Sequence, residues 1–133
     1  MKIILDTNVL ISGIFFRGPP HLILHAWRDN LLELIASEEI FQEYIDVCER
    51  LGEKYPSIEF KGIIDLIAVN THFYQPKIID QQITADPDDD KFITCAIASG
   101  VKIIISGDKH LLDVNGYQGV EIVSPSDFIK NYL

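Results

Sequence analysis

The chain has 133 residues, 47% of them apolar, and carries a formal net charge of −9 at pH 7. This length suits one domain spanning residues 1–133, with enough apolar side chains for a core that needs no disulfides or structural metal. The charge excludes a protein whose whole surface binds nucleic acid by neutralising phosphates, although it leaves room for an enzyme with a local site. Because Asp6 interrupts the opening apolar run, we expect neither a secretory signal nor a membrane span, and therefore a cytoplasmic protein.

Short apolar runs without alternation predict buried strands, and apolar residues at helical spacing predict helices. In chain order the pattern predicts a strand at residues 2–5, a loop at 6–20, a helix at 21–30, a strand at 32–36, helices at 38–51 and 58–70, a weak strand at 71–74, an irregular acidic segment at 76–90, a helix at 91–100, a strand at 102–105, a short helix at 110–113, a strand at 120–123 and a last helix at 125–132. Ser37 and Ser124 are the predicted N-caps of the helices that follow them. Strands separated by helices indicate a single-domain three-layer α/β/α sandwich around a mostly parallel sheet.

Two acidic residues follow strands that we expect to be buried. Asp6 ends the first strand, and Asp108 follows the strand at 102–105 after only Ser106 and Gly107. In open α/β sheets, sites form beyond the carboxyl ends of the strands where the strand order reverses. If these two strands are neighbours, both carboxylates lie at the same edge; taken singly, each is equally typical of a loop or a helix cap.

The run at 86–90 contains four aspartates around Pro87. Pro87 suits the first position of a helix, which makes Asp86 the N-cap. Asp88 and Asp89 then fall in the first turn, where carboxylates interact favourably with the helix dipole. Structural roles at the start of the helix thus account for three of the four aspartates.

Asp90 and Glu43 are predicted site residues because of their positions on helices. Asp90 lies on the same helix line as Ile93 and Ile97, which face the sheet, and a carboxylate buried there needs compensation. Glu43 lies at the edge of the inward stripe of its helix, from which its side chain can reach a site. For Glu43 the alternative is a solvated helix flank.

Together, Asp6, Glu43, Asp90 and Asp108 are predicted to meet at one edge of the sheet. Carboxylates gathered in this way repel one another, so a compensating cation is expected. Sites made only of oxygen ligands suit Mg²⁺ or Mn²⁺. The four residues therefore predict metal-assisted hydrolysis.

Four segments form an ordered set that spans most of the chain. They are LDTNVLISG at 5–13, SEEIFQEY at 37–44, DPDDDKFITCAIASG at 86–100 and IISGDKHLL at 104–112. This set resembles the motifs of the PIN-domain ribonucleases, and most closely the VapC-like toxins of type II toxin–antitoxin modules. The resemblance implies a five-stranded sheet in the order 3-2-1-4-5 and a metal-dependent endoribonuclease that hydrolyses RNA phosphodiester bonds.

Carried over residue by residue, the resemblance implies that the four acidic residues act in catalysis by holding one or two Mg²⁺ or Mn²⁺ ions. Asn8 and Ser106 would give polar support to this site. Many relatives have Thr where Ser106 stands, and both residues carry a hydroxyl.

The resemblance also implies partners: an RNA substrate, a cognate antitoxin protein and a second copy of the chain in a homodimer. Basic residues near the predicted edge either contact phosphates or only keep the surface soluble. These are Arg17, His21, Lys91, Lys109 and His110. An apolar stretch containing Phe15, Phe16, Leu22 and Trp27 belongs either to the core or to a face that binds the partner protein.

Two other functions are compatible with the residues. Asp6 directly after the first strand is also the position of a phosphate acceptor in receiver-like or haloacid-dehalogenase-like folds, although Thr7 and Asn8 follow it in place of a second Asp. Alternatively, the chain is a PIN-like module that binds RNA or protein and whose acidic residues are no longer catalytic.

Overall fold

A sheet of parallel strands forms the centre of the fold. The structure, a computed structural model, describes residues 1–75 and 81–133. In these residues the strands are Lys2–Leu5 (β1), Glu33–Ala36 (β2), His72–Phe73 (β3), Ile103–Ile105 (β4) and Glu121–Val123 (β5). They pair in the order β3-β2-β1-β4-β5, and each pair is parallel. The predicted α/β fold and the 3-2-1-4-5 order are therefore confirmed.

Helices flank this sheet. In the described residues they are Thr7–Phe15 (α1), Pro19–Arg28 (α2), Glu38–Lys54 (α3), Phe60–Asn70 (α4), Asp90–Ser99 (α5), Lys109–Leu112 (α6) and Pro125–Tyr132 (α7), with 3₁₀ turns at Pro87–Asp89 and Tyr117–Gly119. The Ser37 hydroxyl accepts a hydrogen bond from the Ile40 amide, and the Ser124 hydroxyl accepts one from the Asp127 amide, so both predicted N-caps are confirmed. Within residues 1–75 and 81–133, no helix is long and apolar enough to cross a membrane.

The central strands are covered on both faces. Ile3, Ile4 and Leu5 are consecutive in β1, and all three are fully buried. Because successive side chains of a strand point to opposite faces of the sheet, their burial requires packing on each side. Double coverage is the reason that β1 is a continuous apolar run rather than an alternating one.

The segment after β1 differs from the prediction. The sequence predicts a loop at 6–20, which is wrong, because α1 begins at Thr7. The Asp6 carbonyl accepts hydrogen bonds from the Val9 amide at 3.0 Å and the Leu10 amide at 3.2 Å, and these bonds start the helix. Gly13, Gly18, Pro19 and Pro20 locally suggest a loop. Val9 and Leu10 are nevertheless buried in the core, so tertiary packing stabilises α1.

Gly13 allows α1 and α2 to approach each other closely. A Cβ atom at Gly13 would lie 2.8 Å from the Pro20 carbonyl oxygen and 2.6 Å from a Leu24 methyl carbon. The glycine is therefore a contact point between two helices. Pro19 and Pro20 occupy the first turn of α2, which begins two residues before the predicted start at 21.

The remaining helix and strand bounds agree with the predictions to within three residues. The segment at 76–90 that is predicted to be irregular contains the 3₁₀ turn Pro87–Asp89, with Asp86 as its N-cap as expected. Residues 76–80 of that segment lie outside the described residues.

The carboxyl ends of the strands line up at one side of the sheet. Leu5 pairs with Ile105, and Ala36 pairs with Phe73. We call this side the carboxyl edge; the residues that directly follow the strands there are Asp6, Ser37, Tyr74, Ser106 and Ser124. The chain runs outward from β1 to β3 and then returns to the other side of β1, so the strand order reverses between β1 and β4, where α/β proteins form their sites.

Replacing Gly13 with Ala should destabilise the protein by about 1–3 kcal/mol, because the new methyl group would meet the Pro20 carbonyl and force α1 and α2 apart. Chemical denaturation followed by circular dichroism measures this change. The matched control is Gly62→Ala in α4, where an added Cβ meets no described residue within 4 Å and better helix propensity should stabilise the protein by about 0.5–1 kcal/mol. Equal effects of the two substitutions would contradict the close approach at Gly13.

Candidate active site

Asp6 lies directly after β1, at the reversal of strand order. It is 4% exposed, and its Oδ2 accepts a hydrogen bond from the Ser106 hydroxyl at 2.7 Å. Burial raises the pKa of Asp6 above its usual value; the Ser106 hydrogen bond opposes this shift, and the charges of Asp108 and Glu43 add to it. The fold thus holds a carboxyl group where its ionised form is disfavoured.

Asp108 lies beside Asp6 because β4 pairs with β1. The Asp108 amide donates to the Ser106 Oγ at 2.9 Å, so a single hydroxyl links the two aspartates. Asp108 Oδ1 also accepts a hydrogen bond from the His110 amide at 2.9 Å and thereby caps α6. The capping role considered for Asp108 is therefore present, together with its position next to Asp6.

Asp90 is not brought into this group of acids. Its Oδ1 accepts hydrogen bonds from the Thr84 amide and the Thr84 hydroxyl, each at 2.8 Å, and its Oδ2 accepts one from the Ile83 amide at 3.0 Å. The partly buried carboxylate is compensated by these bonds, which hold the segment before α5. These groups compensate the Asp90 carboxylate without a cation, which removes the physical reason for expecting an ion there.

Asp89 takes the place beside Asp108 that was expected for Asp90. Its Oδ2 is buried and has no hydrogen-bond partner among the residues that the structure describes. Burial, a hydrogen bond shared with Asp108 and the charges of Asp108, Asp6 and Asp86 raise the pKa of Asp89 to about 7. An ionised Asp89 carboxylate cannot donate a hydrogen bond to Asp108, so protonation of Asp89 is favoured at this position.

The helix pattern indicates an inward position for Asp89 as well as for Asp90 and does not distinguish between them. Asp89 lies on one helix line with Phe92 and Ala96, just as Asp90 lies on one line with Ile93. Phe92, Ile93 and Ala96 are all buried in α5. Two adjacent lines were therefore equally apolar, and the 3₁₀ turn that contains Asp89 decided which carboxylate faces Asp108.

Glu43 reaches the site from α3 with both carboxylate oxygens engaged. Oε2 accepts a hydrogen bond from the Thr7 hydroxyl, and Oε1 pairs with the Lys91 ammonium at 3.0 Å. The Lys91 side chain is only 7% exposed and also donates to the Asp88 carbonyl, so Lys91 is an internal counter-ion and not a surface residue. Thr7, which the sequence does not mark as a site residue, links α1 to α3 at this point.

The other predicted residues divide into two groups. Lys109 and His110 are exposed and directly follow Asp108, and the Asn8 amide interacts with Asp6 and lowers its pKa. The basic residues Arg17 and His21 lie elsewhere. His21 Nδ1 lies within hydrogen-bond distance, 3.1 Å, of the Gly13 carbonyl oxygen. Gly13 is six residues along α1 from Thr7, which corresponds to roughly 9 Å. The exposed Arg17 follows the end of α1.

We call Asp6, Glu43, Asp89 and Asp108 the acidic cluster. The atoms with which it could bind a metal ion are carboxylate oxygens, which suit a hard divalent cation. Such an ion would also satisfy the buried Oδ2 of Asp89. In the part of the chain that the structure describes, no three His, Cys, Asp or Glu side chains already converge at metal-binding distances, so binding an ion would require some of these side chains to rotate.

A parallel α/β sheet with an acidic cluster at the reversal of strand order defines the class of protein, an α/β protein whose site lies at the carboxyl ends of its strands. The family model for the PIN domain matches residues 2–110, well over half of the chain. The chain therefore belongs to the PIN-domain family, whose members are generally nucleases that use divalent metal ions. The matched residues include the whole acidic cluster. No match is found among curated proteins.

Asp89→Asn and Asp90→Asn should change stability in opposite directions at pH 8 in a chelator. The raised pKa of Asp89 means that its ionised form is disfavoured in the folded state, so stability falls as pH rises from about 4 towards the folded pKa of about 7. Asp89→Asn removes this loss and should raise Tm at pH 8. Asp90→Asn replaces one carboxylate oxygen, which accepts a hydrogen bond, with an NH₂ group, which cannot accept one. The amide of Ile83 or Thr84 then loses its partner, so the folded protein should be destabilised by about 1–3 kcal/mol.

Thermal unfolding of the two variants and of the unsubstituted protein between pH 4.5 and pH 8 measures these changes. The Tm of Asp89→Asn should depend less on pH than that of the unsubstituted protein. A lower Tm for Asp89→Asn than for Asp90→Asn at pH 8 would contradict the assignment of the two side chains.

Proposed function

We propose that the protein is an endoribonuclease that hydrolyses RNA phosphodiester bonds with Mg²⁺ or Mn²⁺. The observation that carries this proposal is that Asp6, Asp89 and Asp108 lie near one another at the reversal of strand order, where burial and neighbouring negative charges raise the pKa of both Asp6 and Asp89. Raised pKa values caused by burial and like charges are typical of functional sites. Membership of the PIN-domain family supports the hydrolase activity.

In this proposal Asp6, Asp89 and Asp108 hold the ion, and Asp89 has the role that the sequence analysis gave to Asp90. A bound divalent ion supplies an activated water molecule and neutralises charge on the phosphate. Ser106 keeps Asp6 and Asp108 in fixed positions through its two hydrogen bonds.

Glu43 has a different role from the three aspartates. Thr7 and Lys91 already engage its two oxygens, and the Lys91 ammonium would repel a metal ion bound beside it, which disfavours Glu43 as a direct ligand. We assign it to the positioning of α1 and α5 around the ion. Lys91 then supplies a fixed positive charge that offsets one carboxylate, which favours a single ion over two.

The substrate side of the site is formed by residues after Asp108. Lys109 and His110 are exposed at the start of α6, where their side chains are free to contact phosphates of a bound strand. The strongly negative chain restricts phosphate contacts to local groups of this kind.

The protein should cleave single-stranded RNA in Mg²⁺ or Mn²⁺ and leave it intact in excess chelator. Asp6→Asn and Asp89→Asn should each lower the cleavage rate by at least roughly 100-fold, because each removes a ligand. Gel assays with end-labelled RNA measure the rates, at a temperature where circular dichroism shows every variant to be folded.

Two further variants serve as controls for this assay. Asp65→Asn changes an exposed aspartate on α4 that pairs with Lys61 and should cleave at the normal rate. Asp90→Asn, once folded, should retain activity within roughly tenfold. Full activity of Asp6→Asn, or loss of activity in Asp90→Asn but not in Asp89→Asn, would sink the assignment of the ligands.

The whole chain, residues 1–133, forms the proposed nuclease domain, although the family match ends at residue 110. β5 pairs with β4 beyond this point, and the Ser106 amide donates to the Val123 carbonyl at 3.0 Å. α7 packs against α2. The residues after 110 therefore supply the strand β5 to the sheet and the helix α7 to the layer that contains α2.

We further propose that the protein is the toxin of a toxin–antitoxin pair and acts as a homodimer. Large apolar side chains on α2 and α4 support a protein partner: Leu22 is 51% exposed, Leu66 lines a recess with Trp27, and Val69 is 83% exposed. A contiguous exposed apolar patch is typical of an interaction surface, and Trp27, Leu66 and Val69 line one recess. Phe15 does not contribute, because its ring packs against Tyr55 and Phe60.

Leu22→Glu should convert the dimer to a monomer, because a charged side chain is disfavoured in an apolar interface. Size-exclusion chromatography with light scattering measures the mass, and Leu133→Glu, at a leucine of equal exposure (50%), is the control. Expression in a bacterial host should arrest growth, and Asp6→Asn should relieve the arrest. A monomeric unsubstituted protein contradicts the dimer, and unaffected growth contradicts the toxin role.

A further inference from the structure

A recess separate from the acidic cluster lies on the carboxyl edge, beside β3. It has a volume of about 370 Å³, within the range of small-molecule sites of about 300–1,000 Å³. The residues that line it are Glu38, Glu39, Phe73, Tyr74 and Gln75. We call it the edge recess. It combines two aromatic rings with two carboxylates, and the acidic cluster does not use any of these residues.

The aromatic wall of the edge recess is fixed to the sheet. The Tyr74 amide donates to the Ala36 carbonyl at 2.9 Å and extends the pairing of β3 with β2. The Phe73 ring packs edge to face against Phe41 of α3, with centroids 5.3 Å apart. Both Phe73 and Tyr74 remain substantially exposed. The Phe73 ring is thus held by packing and the Tyr74 backbone by the sheet, and exposed aromatic rings provide stacking surfaces for unpaired bases.

The carboxylates of the edge recess select what can stack there. Glu38 and Glu39 are exposed in the first turn of α3, and an ionised carboxylate only accepts hydrogen bonds. Two negative charges disfavour a phosphate in the recess. They favour a base edge that carries N–H donors, and guanine alone among the four RNA bases presents two adjacent donors, N1–H and N2–H, on its Watson–Crick edge.

The geometry points to the edge recess as a subsite for an unpaired guanine of the RNA substrate, stacked on Tyr74 or Phe73 and hydrogen-bonded to Glu38 or Glu39. This inference rests on the proposed ribonuclease function and names a feature of its substrate. β3 lies two strands from β1, roughly 10 Å along the edge at about 4.8 Å per strand. The guanine would therefore lie a short distance along the strand from the bond cleaved at the acidic cluster.

The test measures nucleoside binding to the full chain in chelator, so that it does not depend on cleavage. Guanosine and uridine are titrated separately and followed by backbone amide NMR shifts. Guanosine should shift the amides of Tyr74 and Gln75 and bind at least about fivefold more tightly than uridine. Because the recess repels phosphate, guanosine monophosphate should bind no more tightly than guanosine. Equal binding of guanosine and uridine would overturn the inference.

Matched variants separate stacking from hydrogen bonding. Tyr74→Ala should weaken guanosine binding at least about fivefold, whereas Tyr132→Ala, at a tyrosine with the same 36% exposure on α7, should leave it unchanged. The double variant Glu38→Gln with Glu39→Gln should remove the preference for guanosine over uridine. The control for that variant is Glu49→Gln with Glu53→Gln, at exposed positions later in α3.

The two proposals fail in different experiments. Guanosine binding that depends on Tyr74, in a protein that never cleaves RNA, supports the edge recess and contradicts the nuclease. Metal-dependent cleavage in a protein whose guanosine binding is insensitive to both Tyr74→Ala and the Glu38 and Glu39 double variant supports the nuclease and overturns the edge recess.

Discussion

The parallel pairing of β1 with β4 is the constraint on which the site depends. The Asp6 amide donates to the Ile105 carbonyl at 3.0 Å, which brings together segments a hundred residues apart in the chain. The buried Tyr44 hydroxyl donates to the Leu5 carbonyl at 2.5 Å and attaches α3 to the same end of β1. The end of one short strand therefore positions the residues that come from β4 and from α3. Because these bonds lie in the core, the site has a rigid base.

The second constraint is the repulsion among carboxylates that this pairing concentrates. The Ser106 hydrogen bond partly offsets the burial that raises the pKa of Asp6, the His110 amide donates to Asp108, and Lys91 neutralises Glu43. Asp89 is different, because its buried Oδ2 lacks a hydrogen-bond partner within the described residues and its pKa is raised to about 7. The local instability at Asp89 is the feature that a bound cation would relieve, and a site of this kind trades folding stability for ligand binding.

Most of the fold could be predicted from the sequence, because local patterns decide it. The apolar run Ile3–Leu5 has one stable environment, a strand covered on both faces, and Ser37 and Ser124 mark helix starts by a bond within one turn. α1 was missed since its stabilisation is tertiary. Gly13, which locally suggests a loop, is explained only by the Pro20 carbonyl of the neighbouring helix.

For the candidate site, the sequence by itself determined that Asp6 and Asp108 closely follow buried strands, because an apolar run and the polar residue that ends it are local features; that the two strands are neighbours was implied by the resemblance to the PIN-domain ribonucleases. Only the tertiary structure decided which aspartate of the run before α5 joins them. Asp89 and Asp90 both lie on apolar lines of the helix, and the choice depended on backbone amides at 83 and 84 that bind Asp90 and on a 3₁₀ turn that directs Asp89 to Asp108. Contacts of this kind, made outside a regular helix or strand, leave no periodic trace in the sequence.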